Sequence, residues 1–203
     1  MLRKADLHST HNSIAADSLV WLEQAELLNI SAISIYQNLI KSYSNHNLSP
    51  SARSKATMGF MGSYMLLSGY AFENLIKGVS IARFKDESLD ILKQKRWNYR
   101  KGHGISSIAR DLIDDVTKDE LDLLSRFEEF VIWGGRYPVP LKESMYSQSY
   151  KLRLKGKDFQ VRNKLFNRLR NILVEEWEEG NNEKFYGDDG LNEFKNAFDN
   201  TNI

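Results

Sequence analysis

The sequence predicts an all-α fold, an up-and-down bundle of four to five helices in a single domain that spans residues 1–203. Apolar residues recur every three or four positions over five segments, which is the pattern of amphipathic helices. N-terminal capping residues open two of these segments, and glycine or proline follows others, so their ends are marked as well. A chain of 203 residues, 41% of them hydrophobic, can bury a sizeable core without disulfides or metal ions.

The composition excludes several kinds of chemistry. The chain contains no cysteine, so it has no disulfide, no thiol nucleophile and no cysteine-ligated zinc. Its N-terminus lacks the apolar core of a signal peptide, and the longest uncharged stretch, residues 56–72, is broken by glycine and serine. Because a membrane span needs roughly 20 apolar residues, we expect a cytoplasmic protein with no membrane partner.

The first predicted helix begins after Asp17, a good N-cap, and reaches about Tyr43. Residues 1–15 before it are a polar N-terminal segment with no clear period, and residues 45–54 after it form a predicted loop around Pro50. One apolar stripe advances along this helix by four and three positions: Trp21, Ala25, Leu28, Ala32, Ile35 and Leu39.

The second predicted helix covers residues 56–84, and its stripe repeats the same spacing: Met61, Met65, Ser68, Phe72, Leu75 and Val79. Small residues such as Gly62 and Gly69 lower helix propensity, so we expect another helix backbone to approach them closely. Glu73 and Lys77 are four positions apart in the order that favours an ion pair. Since the apolar pattern is dense around them, we expect Glu73 to be partly buried and bonded to a group on the third or fourth helix. The alternative is an ordinary surface pair.

The third and fourth predicted helices form a hairpin. The third starts near Ser106 and carries an apolar face over residues 105–116. The fourth opens with a capping box at residues 117–120 and ends at Gly134 and Gly135.

The C-terminal third of the chain holds one more long helix, predicted over residues 159–177. Residues 141–157 form a predicted irregular loop, in which residues 150–155 alternate as a short strand does. Residues 180–203 form a predicted polar C-terminal tail, with a short helix over residues 191–198.

Basic residues are concentrated in two clusters, although the net charge is only +1. The first covers residues 93–101 without an acid, and the second covers residues 151–170 with Asp158 as its single acid. One such cluster alone is most often a solvated helix face. Two of them favour an anionic ligand.

Three short motifs occur in a defined order: LLSGYAFENLIKG at residues 66–78, GHGI at residues 102–105 and RYP at residues 136–138. The first lies in the second predicted helix, the second opens the third helix, and the last follows the fourth. Together they resemble the HEPN (higher eukaryotes and prokaryotes nucleotide-binding) domain family over about residues 16–140.

The resemblance implies a bundle of four or five helices that often forms homodimers. Some family members are metal-independent endoribonucleases of toxin–antitoxin and phage-defence systems, some partner a minimal nucleotidyltransferase, and some bind only nucleotides or other proteins. The ribonuclease members carry an arginine and a histidine that are separated by four to six residues, near the start of a late helix. Arg96 and His103 are separated by six residues, but this pair precedes the third helix, and residues 159–177 contain no histidine.

A candidate site for a nucleotide or RNA phosphate follows from the predicted hairpin, because the start of the third helix lies beside the end of the fourth. The N-terminus of the third helix adds positive potential there. The expected ligand-binding residues are Arg96, Arg100, Lys101, His103, Arg136 and Tyr137. Glu73 and Lys77 are expected to support them from the second helix.

Three alternatives stay open for this site. In a metal-independent endoribonuclease, His103 would be the catalytic base for the 2′-hydroxyl, because imidazoles as a class titrate near neutral pH, and an arginine would hold the phosphate. In the second alternative, His103 caps the third helix while Arg136 bonds helix-end carbonyls. In the third, the whole chain is a protein-interaction or structural domain with no ligand.

No cofactor or metal site is expected. The sequence has no Walker loop, no Rossmann glycine pattern and no nucleophile-elbow serine. His8 and His11 are weak metal candidates, since Asp6 is the one carboxylate near them in the sequence.

Overall fold

The computed structural model describes residues 4–135 and 152–181, except for the side chains of residues 4–9. The all-α prediction is confirmed over these residues, which form helices and no strand. Their α-helices, in chain order, are α1 (Lys4–Ala15), α2 (Ser18–Tyr43), α3 (Pro50–Arg83), α4 (Leu89–Lys95), α5 (Ile105–Leu112), α6 (Lys118–Glu129) and α7 (Asp158–Asn181). A short 3₁₀ helix, Tyr99–Gly102, precedes α5, and a π-helical turn, Phe130–Gly134, follows α6. None of the helices in the described residues has the length and apolarity needed to cross a membrane.

The long helices α2 and α3 form the antiparallel centre of the bundle. Ser42 lies beside Thr57 near their connecting loop, and Trp21 lies beside Gly78 at the far end. Helix α7 runs antiparallel to α2 and therefore parallel to α3, since Arg170 contacts Glu26 whereas Phe159 stacks on Tyr36. The α5–α6 hairpin packs against α3 as well, and its Phe127 ring stacks near Phe72 of α3. The core therefore lies around α3, which contacts every other long helix.

Two predicted helix starts are confirmed by their caps. Asp17 Oδ1 accepts a hydrogen bond of 3.0 Å from the Leu19 amide at the start of α2. At the start of α6, the Thr117 hydroxyl and the Glu120 carboxylate each accept a hydrogen bond from the other residue's amide. Such reciprocal bonds satisfy backbone donors that a helix N-terminus otherwise leaves unpaired.

The described residues contain two α-helices beyond the predicted four to five, and the predicted start of the second helix is wrong. Helix α3 begins at Pro50, six residues before the predicted residue 56, because Ser49 caps it and proline is tolerated in the first helical turn. Helices α1 and α4 were not predicted, so the described residues hold more than four or five. The polar α1 has no apolar period, and α4 has only seven residues, of which Leu92 is buried.

Several other boundaries also differ from prediction. Helix α5 ends at Leu112, so Val116 lies outside it. Helix α7 begins and ends somewhat beyond residues 159–177. Residues 152–155 form no strand. The rest of the predicted loop at 141–157 and the tail beyond residue 181, with its short helix, lie outside the described residues.

The expected close approach at Gly69 is confirmed. A Cβ atom on Gly69 would lie 2.6 Å from Val131 Cγ2 and 2.9 Å from the carbonyl oxygen of Phe127. Only glycine lets the end of α6 come this close to α3. The approach at Gly62 is looser, because a Cβ atom on this residue would lie 4.0 Å from Phe130 Cε1.

Candidate functional site

Residues 99–104, called here the His103 turn, connect α4 to α5 with an unusual backbone. Arg100, Lys101 and Gly102 are consecutive residues with positive φ, at 48°, 58° and 91°. Left-handed arginine and lysine each cost roughly 1–2 kcal/mol, so surrounding contacts must hold the turn in this shape. Strained backbone of this kind is often found where a protein presents side chains to a ligand.

Local contacts close the turn tightly. The Gly104 amide donates a hydrogen bond of 3.0 Å to the Tyr99 carbonyl oxygen. A side chain on Gly104 would collide with Tyr99, so glycine is required here. The Tyr99 hydroxyl donates a hydrogen bond of 2.7 Å to Asp111 on α5, and this bond raises the pKa of the exposed phenol.

His103 is oriented by a carboxylate on the central helix. Its Nδ1 lies 3.0 Å from Glu73 Oε2, and the other carboxylate oxygen accepts a hydrogen bond of 2.6 Å from Lys77 Nζ. The side chains of Glu73 and Lys77 are 11% and 13% exposed, whereas that of His103 is 37% exposed. The predicted burial of Glu73 is confirmed. Its polar partner across the bundle lies in the turn before α5 and not on a helix.

The Trp97 ring packs against the network of Glu73, Lys77 and His103. Lys77 Nζ lies 5.5 Å from the centre of the Trp97 ring, within the range of a cation–π contact. The indole donates a hydrogen bond of 3.2 Å to Ser80 and packs against Trp21 at 5.7 Å. Trp97 is buried, so Lys77 is fixed on one side by an aromatic face and on the other by Glu73.

Arg100 is held by two acids at the end of α6. Its Nη1 lies 2.6 Å from Glu128 Oε1 and 2.6 Å from Glu129 Oε1. The other oxygen of Glu128 accepts bonds from the backbone amide and the hydroxyl of Ser106, at 3.2 and 2.8 Å. The N-terminus of α5, which we expected to attract a phosphate, is thus occupied by the Glu128 carboxylate.

The remaining predicted site residues are dispersed. Arg96 pairs with Glu87 through two bonds of 2.8 and 3.1 Å and stacks on the Phe84 ring, and this pairing lowers the pKa of Glu87. Lys101 is exposed, and its side chain has no ion pair among the described residues. Arg136 and Tyr137 lie outside the described residues, so their position relative to His103 stays a prediction.

The second basic cluster is largely matched by acids of other helices. Lys155 contacts Asp122 at 2.6 Å, and Lys157 contacts Asp119. The pairs on α7 are Arg168 with Glu120 at 3.0 Å and Arg170 with Glu26 at 2.6 Å. Among the described residues, these four ion pairs join α7 and the segment before it to α6 and α2.

The acidic partners of Arg100 and the packing of Trp97 against Lys77 were not predicted from the sequence. A signal for Glu128 and Glu129 existed, because the predicted hairpin places the end of α6 beside the start of α5. No comparable signal marked Trp97, since α4 and the segment after it were not recognised as structured.

The histidines outside the turn offer no comparable arrangement. His46 contacts Arg53 at 3.2 Å on the surface, and His11 contacts Asn12. The side chain of His8 lies outside the described part of the chain. Over that part, no group of three or more His, Asp or Glu side chains could hold a metal ion.

No protein-family model, curated protein or solved structure matches this chain. Its function is therefore inferred from the geometry of the His103 turn and from the sequence motifs.

Proposed function

We propose that this chain is a HEPN-like helical module that binds a nucleotide or an RNA phosphate at the His103 turn. The observation that carries this proposal is the orientation of His103 by Glu73. With Nδ1 engaged, Nε2 is the ring nitrogen left to a ligand, and more than a third of the side chain is exposed. An imidazole fixed in this way can bond a phosphate oxygen without losing further rotational freedom.

Two cations next to His103 support the same ligand. Lys101 is exposed in the turn. Both ion pairs of Arg100 use Nη1, which leaves the edge formed by Nε and Nη2 to a phosphate, and this edge suits bidentate binding. Glu73, Glu128 and Glu129 neutralise much of the local charge, so we expect modest affinity and a preference for ligands with further contacts, such as a base.

The sequence resemblance supplies the wider setting of the proposal. It suggests a cytoplasmic homodimer, a bacterial defence or toxin–antitoxin context, and a minimal nucleotidyltransferase as one candidate partner. Light scattering at micromolar concentration tests the dimer directly. A strictly monomeric protein would contradict the dimer and leave the binding proposal standing.

Binding titrations test the main proposal. ATP and a short single-stranded RNA are titrated into the purified protein in the presence of a chelator. We expect the double variant His103→Ala with Arg136→Ala to bind at least roughly tenfold more weakly, and added salt to weaken wild-type binding further. His46→Ala and Lys55→Ala are matched controls, because they remove an exposed histidine and an exposed lysine near the start of α3, far along that helix from Glu73. Equal binding by wild type and the double variant, or no binding by either, would contradict the proposal.

A metal-independent endoribonuclease is the second candidate, favoured by the tautomer that Glu73 imposes. Because a carboxylate accepts hydrogen bonds, Glu73 favours the tautomer with the proton on Nδ1, and in that tautomer Nε2 can accept a proton. Nε2 would take the proton of the RNA 2′-hydroxyl as the 2′-oxygen attacks phosphorus. The bond from phosphorus to the 5′-oxygen then breaks, water protonates that oxygen, and a 2′,3′-cyclic phosphate remains. Lys101 and Arg100 would stabilise the charge on the phosphate.

Cleavage assays separate this candidate from binding alone. Labelled RNA is incubated with the protein in chelator, and the products are examined for a 2′,3′-cyclic phosphate. Loss of cleavage in His103→Ala and its persistence in His46→Ala would support the nuclease. RNA binding without any cleavage would rule it out and leave the main proposal intact.

A further inference from the structure

Arg162 on α7 is a fully buried arginine with an unpaired edge. Its side chain is 0% exposed. Nη1 donates a hydrogen bond of 3.0 Å to Asn163 Oδ1, whereas Nε and Nη2 have no hydrogen-bond partner among the residues that the structure describes. Burial lowers the pKa of this guanidinium, since it disfavours the charged form. Buried charges normally have partners, so this one requires an explanation.

The surroundings of Arg162 contain further unpaired polar atoms. The guanidinium lies 5.9 Å from the Phe72 ring and 5.4 Å from the Phe166 ring, at the α3–α7 interface. Tyr64 and Ser68 precede Phe72 by two turns and one turn on the same face of α3. The hydroxyl oxygens of both are buried and lie close to each other, and neither makes a well-formed hydrogen bond with any described residue.

The carboxylate best placed to pair with Arg162 is already engaged. Asp158 precedes it by one helical turn, in the order that favours an ion pair. However, Asp158 accepts two bonds from Arg126, at 2.5 and 2.8 Å, and a third from the Lys155 amide at 2.5 Å. Arg126 and Asp158 are both buried. Arg126 and Asp158 therefore balance each other's charge, and no described carboxylate pairs with Arg162.

We propose that Arg162, Tyr64 and Ser68 form an internal binding position for a small carboxylate from solution. The Nε–H and Nη2–H groups of an arginine point in parallel and match the two oxygens of a carboxylate. The two hydroxyls can donate to the same oxygens, and the Phe72 and Phe166 rings offer apolar contact to a short alkyl group. A carboxylate balances the single charge of Arg162, whereas a phosphate dianion would leave an excess negative charge in the core.

A stacked aromatic pair packs against Tyr64 at this position. The rings of Tyr36 on α2 and Phe159 on α7 are 4.0 Å apart and nearly parallel, and Tyr36 also packs against Tyr64 at 5.1 Å. Both residues of the pair are half-buried, whereas Tyr64 is completely buried.

Thermal unfolding in acetate tests the proposal with the full chain. Protein is dialysed into chloride buffer, and the melting temperature is followed as sodium acetate replaces sodium chloride at constant ionic strength. A ligand that binds the folded state alone raises the melting temperature with the logarithm of its concentration above Kd. We expect this rise in wild type, a roughly tenfold weaker acetate affinity in Tyr64→Phe, and no rise in Arg162→Met. Arg170→Met is the matched control, since it removes an ion-paired arginine of the same helix and should keep the response.

A second measurement does not depend on the folding of any variant. In wild-type protein labelled with ¹⁵N, the Nε–H resonance of one slowly exchanging arginine should shift with acetate and saturate. A melting temperature that is insensitive to acetate together with unshifted arginine resonances would overturn the proposal. An equal acetate response in wild type and a folded Arg162→Met would overturn it as well.

Discussion

Glu73 Oε2 and His103 Nδ1 lie 3.0 Å apart and join the central helix α3 to the turn before α5. Because α3 is packed on several sides, the imidazole takes its orientation from a rigid element and not from a loop. The second oxygen of the same carboxylate binds Lys77 at 2.6 Å. One acid therefore holds both the candidate ligand-binding histidine and a nearly buried lysine.

The first prediction concerns the stability of this network. Glu73→Ala would leave Lys77 nearly buried beside Trp97 without its counter-charge. Removal of one partner of a buried pair costs about 3 kcal/mol, which in a chain of this size corresponds to a fall in Tm of about 6–12 °C. Glu73→Gln, which retains a hydrogen-bond acceptor for His103, should lose less. Calorimetry that finds the same Tm in wild type and Glu73→Ala would show that the acid is an ordinary surface group.

The helical fold could be predicted because the spacing of apolar residues reports which face of each helix is buried. The stripe through Ala25 and Ala32 on α2 is indeed in the core, and both residues are fully buried. The ends of the helices are harder to predict from the sequence. Pro50 is compatible with a loop and with the first turn of a helix, and Ser49 as a cap decides between the two. Helix α4 is too short for its apolar residues to show a helical period.

Only part of the candidate site could be predicted from the sequence, because its geometry depends on tertiary contacts. Nothing in the residue types of Arg100 and Lys101 indicates a left-handed backbone. Periodicity also cannot show that Glu128 points to the start of α5 and occupies the position expected for a phosphate. Arg162 resembled the other basic residues of its cluster, although its spacing from Leu165 and Phe166 places it on the buried face of α7.

The second prediction uses the close contact between α3 and the end of α6. In Gly69→Ala the new Cβ would be forced against Val131 and the Phe127 carbonyl, and such overpacking costs about 1–3 kcal/mol. Gly59→Ala is the matched control on the same helix, because a Cβ there meets nothing within 4 Å. That substitution should stabilise the protein by about 0.5–1 kcal/mol. Urea unfolding of both variants measures the difference, and equal midpoints would contradict the packing described here.

The third prediction contrasts the two buried arginines. In chloride buffer without carboxylates, Arg162→Met should stabilise the protein by about 1–4 kcal/mol, since an apolar side chain replaces an unpaired buried charge. Arg126→Met should destabilise it by about 3–5 kcal/mol, because Asp158 would lose its main partner in the core. Denaturant unfolding of the two variants tests whether the free energy of unfolding rises in one and falls in the other. A strong loss of stability in Arg162→Met would mean that Arg162 has a stabilising partner in solution.

The last prediction is the response of stability to alkaline pH. Burial raises the pKa of Tyr64 from 10.0 to about 12. Between these values the unfolded chain loses the phenolic proton while the folded chain keeps it, so the unfolded state binds fewer protons and stability falls as pH rises. The contribution of Tyr64 is fully present below pH 10, and about 2–3 kcal/mol of it is lost by pH 12. Tyr64→Phe cannot ionise at this position, so its free energy of unfolding should decline less steeply above pH 10. Denaturant unfolding over a pH series measures the two slopes, and equal slopes in wild type and Tyr64→Phe would show that the phenol titrates alike in the folded and unfolded states.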